Sequence, residues 1–410
     1  MARLRSPRPV TLAAAAATAL LLLGSAPVAV AEPFELLPTS RLLPIPPGGL
    51  HSFVKGLNSS GTVIGEYYVE GSDGPLAIRW NAGRPGYTRL APLPGEQFSR
   101  TTALSDRGWV VGLSYNSLPN SHPVRWTPGA TPTRLTLPGG SRGGNASAVN
   151  DSGVAVGDAS EESNRSHPLR WQSDGTRTDL PVLPGDNSGT ATSVNNAGTA
   201  VGWTEKRDGT GGPAHPAHPA HPVRWNAAGV VSALPLPAGF DAARTSRITD
   251  NGVVLGHGRL AGSTEYDRVL VWAADGTVRD AGRGRGYDVN RAATAVGASL
   301  EDDPNGDTAR WNANGTRTVL ANPAEEAGEV LAINNRGTAV GYAWPPAGNP
   351  ALDKALLWKP DGTVVPLPPS SLGPYAAAFA INDAGVIAGF AVGTDGAGNA
   401  TTWRATVWKR

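Results

Sequence analysis

Three groups of residues in this 410-residue chain have types and spacing suited to chemistry. The first is Ala-His-Pro repeated three times, which sets His215, His218 and His221 three apart. Proline at every third place stiffens such a run toward polyproline II, with three residues per turn, and aligns the imidazoles on one side. That suits passing contact with zinc or copper, but no closed ligand set accompanies it, so a repeat-expanded loop is the preferred reading. The second is Asp303-Pro-Asn305-Gly-Asp307, following Glu301 and Asp302. Oxygen ligands at alternate positions let a tight loop wrap calcium, although the further bidentate acid of a complete loop is missing; the alternative is a solvated acidic turn.

The third group is dispersed. Tyr67, Trp203, Tyr342, Trp344 and Phe390 each follow shortly after a β-rich run. Exposed rings suit stacking on sugars or gripping peptides, and they equally serve to cover strand ends. Arg100, Arg244 and Arg285 stand near the starts of other extended segments and favour an anionic partner. No catalytic motif joins them: there is no Gly-x-Ser-x-Gly, no His-Glu-x-x-His and no phosphate-cradling loop. Glycoside cleavage needs two carboxyl groups about 5–10 Å apart, and distant repeats can supply such a pair without any local signature.

The elements that position these residues are repeated. An apolar run closes on tryptophan at Trp80, Trp126, Trp171, Trp225, Trp272, Trp311, Trp358 and Trp408, at gaps of 39 to 54 residues. A second run keeps step with it, as VNDSGVAVG at Val149, VNNAGTAVG at Val194 and INNRGTAVG at Ile333. This is a hairpin signature, in which Asn or Asp caps the turn and Gly takes the positive φ. One copy has Ala293 in place of that Gly, which predicts a strained turn. Asp-Gly or Asn-Gly after Trp171, Trp272, Trp311 and Trp358 marks another hairpin. Each unit therefore holds four short strands, here a to d, exemplified by 145–149, 154–157, 167–171 and 178–183.

Four antiparallel strands every ~45 residues is the spacing of a propeller blade. The fold expected is all-β: one propeller of about eight four-stranded blades over residues 32–410, the repeated tryptophans packing between sheets. The chain begins with a d-type strand at Arg41 and ends with a c-type strand at Trp408. Pairing these two closes the ring and removes the open edges that a linear stack would leave. The a–b and c–d turns are short, whereas the b–c connections at 158–166, 203–220, 257–267 and 342–354 are long and irregular. Variable loops on a rigid frame are where ligands usually bind.

The segment Asp179–Trp203, DLPVLPGDNSGTATSVNNAGTAVGW, followed by HPVRW at His221, resembles the bacterial extracellular HAF repeat. The resemblance spans about residues 41–410. It departs in having Pro-Val-Arg before Trp, and only His122, His167 and His221 keep the His four residues earlier. Rotation about a ring holds these three apart, so they read as structural residues rather than metal ligands. The resemblance implies secretion and a repeat-built β fold, and it brings no catalytic residues with it.

Composition agrees. Arg3, Arg5 and Arg8, an apolar run from Leu12 to Gly24, and Ala29-Val30-Ala31 read as a secretory leader over residues 1–31. No other stretch approaches a membrane span. Without the leader the net charge is −2, which argues against nucleic acid. The absence of cysteine excludes a disulfide framework. The expected protein is a secreted monomer, a non-catalytic binding or scaffold module for an extracellular glycan or protein. The alternative is a propeller-type polysaccharide hydrolase or lyase.

Overall fold

The computed structural model describes residues 38–81, 85–118, 120–207, 219–303, 306–323, 326–345, 353–395 and 397–409. The expected leader, His215, His218 and Asn305 lie outside these residues. The described residues form strands and turns without a helix, and no helix is long and apolar enough to cross a membrane. They build seven antiparallel sheets, six of four strands and one of seven.

One sheet shows why the repeat folds as it does. Its strands are Ser141–Val149, Ala155–Glu161, Ser166–Trp171 and Arg177–Asp179, paired in chain order. The first turn is closed by Asn150, whose Oδ1 accepts the N–H groups of Ser152 and Val154, each at 3.0 Å. Gly153 follows at φ 78°, a conformation that costs side-chain-bearing residues energy. The expected positive φ also holds at Gly198, Gly252, Gly337 and Gly385, and Ala293 adopts it at 59°. In the first strand the register slips between Ala146 and Ala148, leaving one extra residue as a β-bulge. The bulge drives the Asn145 carbonyl against the second strand. A Cβ at Gly157 would stand 1.9 Å from that oxygen, so only glycine fits in the Val-Gly step.

The dipeptide Arg-Trp ties sheets together. Trp171 is fully buried among Val111, Leu135, Ala146, Val149 and Leu169. Its Nε1 donates to Thr136 O of the preceding sheet at 2.7 Å. Arg170 points the other way, donating to Ala227 O at 2.7 Å and to Gly198 O and Asn226 O at 3.0 Å in the following sheet. Arg125 and Arg310 repeat the arrangement. All eight repeat tryptophans are buried to within 1% exposure, as expected of core residues.

Two features bear on how the units join. Val278–Val289 is a single twelve-residue strand serving as the last strand of one unit and the first of the next, which merges two units into the seven-stranded sheet. The crossing that would offer an acceptor to Trp311 is thereby lost, and the Trp311 Nε1 is buried without a partner. At the termini, Thr39–Leu42 pairs antiparallel with Ala400–Lys409, in register from Thr39 with Lys409 to Leu42 with Thr406. The last sheet meets the first: Ala405 N donates to Ser52 Oγ at 2.9 Å, and Asn382 Nδ2 to Asn58 O at 3.0 Å.

Candidate active site

A cavity of about 460 Å³ is lined by the first strand of every unit, through residues such as Lys55, Thr102, Ser147, Thr192, Leu331 and Phe379. Toward the short-turn end it is narrowed by Arg247, whose Nη1 donates to Asp288 at 2.6 Å. At the other end, two residues earlier on each first strand, stand Phe53, Arg100, Asn145, Thr190, Arg244, Arg285, Glu329 and Ala377. Their cross-strand partners are Glu66, Leu113, Asp158, Trp203, His257, Ala298, Tyr342 and Phe390. Each partner is the residue after the repeat's invariant glycine, so the bulge that fixes that glycine also aims its neighbour at the cavity mouth.

The mouth has an aromatic side. Tyr68, Phe53, Phe390, Phe379 and Tyr342 form a chain of ring contacts with centroids 5.2 to 6.3 Å apart, and Trp344 extends it at 5.5 Å from Tyr342. Beside it lies a carboxyl–phenol cluster. Tyr342 donates its hydroxyl to Glu329 Oε2 at 2.9 Å, and Tyr287 donates to Oε1 at 3.4 Å. Burial, and then the bond to Glu329, raises the Tyr342 phenol; burial followed by the Glu329 charge raises Tyr287. Asp353, buried just before the strand Lys354–Trp358, has its carboxyl pushed up to about 7 by burial and then by the charge of Glu329. Near neutral pH this places a neutral carboxyl within electrostatic reach of a carboxylate. Two other mouth acids are raised by burial, Asp158 to about 6 and Glu66 more mildly against the opposing charges of Lys55 and Arg100.

The other side is cationic. Arg244 lies 5.3 Å from the Trp203 ring centre and 4.7 Å from that of Tyr266. Arg100 lies 5.9 Å from the Tyr115 ring. His257 is held below its ordinary value by burial, and the nearby Arg285 charge acts in the same direction. Its Nε2 accepts Gly286 N–H at 3.0 Å, which leaves the proton of the neutral ring on Nδ1.

These positions test the sequence expectations one by one. Arg100, Arg244, Arg285, Trp203, Tyr342, Trp344 and Phe390 all come to the mouth, but on strands rather than in loops. The second strands run further than expected, for example to Glu161 where the sequence set the end at residue 157. Tyr67 does not belong with them. It is 2% exposed and packs on Trp80, Ile78 and Val63, because side chains alternate across a strand and Tyr67 is two residues past Gly65 rather than one. Glu66 occupies the mouth position instead.

The acidic segment is only partly described. Asp307 starts a strand paired with Ser299, Glu301 accepts Arg283 N–H, and Asp302 pairs with Arg317 at 2.5 Å. Among the described residues no three His, Asp or Glu side chains gather as metal ligands, those of Asp303 and Asp307 included. The three repeat histidines are each paired with one acid, His122 with Glu96, His167 with Glu161 and His221 with Asp186. Glu329, Asp353, Tyr287 and His257 were missed by sequence reasoning. The one signal available for His257 was its place after the repeat glycine.

No family model matches the chain, and no curated protein matches it. Solved structures do. One of two prolyl endopeptidases is similar over 83% of this chain at 8% identity and a TM-score of 0.55; the chain spans only 54% of that protein. The β-propeller domain of the trilobed protease from Pyrococcus furiosus is similar over 78% of this chain and 99% of its own length, at 10% identity and TM-score 0.49. An oligogalacturonate lyase in complex with manganese is similar over 91% of this chain and 98% of its own, at 12% identity and TM-score 0.47. The likeness at TM-score 0.55 bears on the fold alone. The similar structures are of enzymes, and the expectation of a non-catalytic binding or scaffold module is not retained.

Proposed function

We propose that this chain is a secreted enzyme that cleaves polysaccharide by acid–base catalysis at the mouth of an eight-bladed, closed propeller. The observation that carries the reading is Asp353, a carboxyl pushed up to about 7 beside Glu329, which itself accepts the hydroxyls of Tyr342 and Tyr287. A buried acid that keeps its proton beside a second carboxyl group is a recurring arrangement of acid and base in one site. Asp353 donates its proton to the leaving glycosidic oxygen; Glu329 takes a proton from the attacking water or from the sugar. The aromatic chain from Tyr68 to Trp344 gives sugar faces a surface to stack on. The closed ring rests on the Thr39–Leu42 strand joining the last sheet, and the count of eight on taking the shared strand twice. Export rests on the basic, apolar and small-x-small sequence of residues 1–31 and on the HAF-like repeats.

The test is to incubate the chain from residue 32 onward with a panel of neutral and acidic polysaccharides and measure newly formed chain ends. Cleavage of at least one is expected, falling roughly 10²- to 10⁴-fold in D353N and E329Q. Absence of cleavage across the panel, or full activity in both variants, would overturn the proposal.

A further inference from the structure

We infer that the substrate is an acidic polysaccharide, whose sugar carboxylate is seated between Arg244 and Arg285 on the cationic side of the mouth. This inference rests on the site proposed above but draws on different residues. Arg244 is held against two rings, Trp203 and Tyr266, at the mouth of the cavity. Its one carboxylate neighbour among the described residues, Glu205, is 3.6 Å away and already takes Arg207 Nε at 2.6 Å. The Arg244 Nε is buried and unpartnered. Arg285, exposed on the adjoining first strand, pairs with no carboxylate among the described residues. Between them His257 is kept neutral, with its Nδ1 proton free to donate.

The arrangement is therefore two guanidinium groups and a neutral N–H donor with a surplus of positive charge. A planar carboxylate matches the guanidinium fork with two parallel hydrogen bonds. A neutral sugar would leave Arg285 without a carboxylate and Arg244 sharing Glu205 with Arg207. Tyr287 lies two residues beyond Arg285 on the same strand and Glu329 on the first strand of the following unit, so a chain lying across the mouth meets the arginines and the acid pair in consecutive units. A sulfate ester carries the same charge on a tetrahedral rather than a planar group, and the experiment separates the two.

Binding is measured by calorimetry with D353N, so that turnover does not consume the ligand. The probes are a neutral oligosaccharide, its uronate counterpart of equal length, and a sulfated counterpart. The uronate is expected to bind at least tenfold more tightly than the neutral chain, with the advantage shrinking as salt rises. R285A and R244K should each remove about tenfold of uronate affinity and leave neutral binding unchanged. R285A is at an exposed position, so its folding is secure, and thermal melts check both variants. Equal affinity for neutral and uronate chains would overturn the inference, as would tighter binding of the sulfated chain. Uronate binding without turnover in the wild type would sink the catalytic proposal and leave this one standing. Turnover of neutral chains alone, unaffected by R244K, would do the reverse.

Discussion

Replacing Asp353 by asparagine should change both the pH dependence of stability and that of activity. The folded chain keeps a proton on Asp353 up to about pH 7, whereas the unfolded chain releases it near 3.8. Between these values the folded state binds more protons than the unfolded one, so stability falls as pH rises. Taken whole, the displacement is worth on the order of 4 kcal/mol. The effective dielectric around such partly buried groups, nearer 20 than 4, reduces the net to roughly 2 kcal/mol. Asp158, pushed up to about 6, contributes with the same sign over a narrower window. Asparagine cannot ionise, so D353N should lose Asp353's share of the slope. Its melting temperature above pH 7 should rise by about 2–4 °C relative to wild type. Wild-type kcat/KM should fall above pH 7 as the acid deprotonates, and D353N should lack that limb because its residual activity no longer depends on this proton. Thermal melts from pH 4.5 to 8.5 and initial rates over the same range decide the matter. A variant whose melting temperature follows the wild type with an unchanged slope would refute the assignment of a buried, protonated Asp353.

Ala293→Gly should stabilise the chain by about 1 kcal/mol in urea unfolding, since Ala293 sits at φ 59° where the other copies hold glycine; a loss of stability would contradict the strain. Trp171→Phe should cost at least ~1 kcal/mol more than Trp311→Phe, because only the first leaves a carbonyl, Thr136 O, without its donor. Equal losses on denaturant titration would remove the indole hydrogen bond from the account. Arg125→Ala should cost about 2–4 kcal/mol through three orphaned carbonyls, Gly153 O, Gln172 O and Ser173 O, while exposed Arg89→Ala stays within ~0.5.

The architecture was readable because every local signal is repeated. A single Asn-x-x-Gly is weak; eight copies of this turn, five of them strictly Asn-x-x-Gly, in register with eight tryptophans fix strand order, turn type and core. What the repeat concealed were the places where it breaks. The gap of 39 residues between Trp272 and Trp311 is the shortest in the chain, and the proline-containing step found between the other units is missing there. Together these signal that one strand serves two units, the arrangement seen in Val278–Val289. The strand ends were also misplaced. Residues such as Asp158 and Glu161 look like loop composition, yet they pair in register with Asn145 and Ser141. Sheet pairing overrides the weak strand preference of acidic residues.

The site was legible only as far as strand parity was respected. Trp203, Tyr342 and Phe390 come one residue after a repeat glycine, and all three reach the mouth; Tyr67 comes two after, and it is core. The same rule applied to every copy would have drawn out Glu66, Asp158 and His257, because the bulge makes the glycine obligatory and fixes where its neighbour points. No such rule reaches Asp353. It precedes a third strand, in a connection whose length differs from unit to unit, and its proton affinity arises from burial beside Glu329, a residue 24 positions earlier. A repeat encodes what its copies share, in this case the frame and the ring of positions around the mouth. Chemistry requires one unit to differ from the others, and the difference that matters at this mouth is a meeting of Glu329, Tyr342 and Asp353 that exists only once the strands have paired.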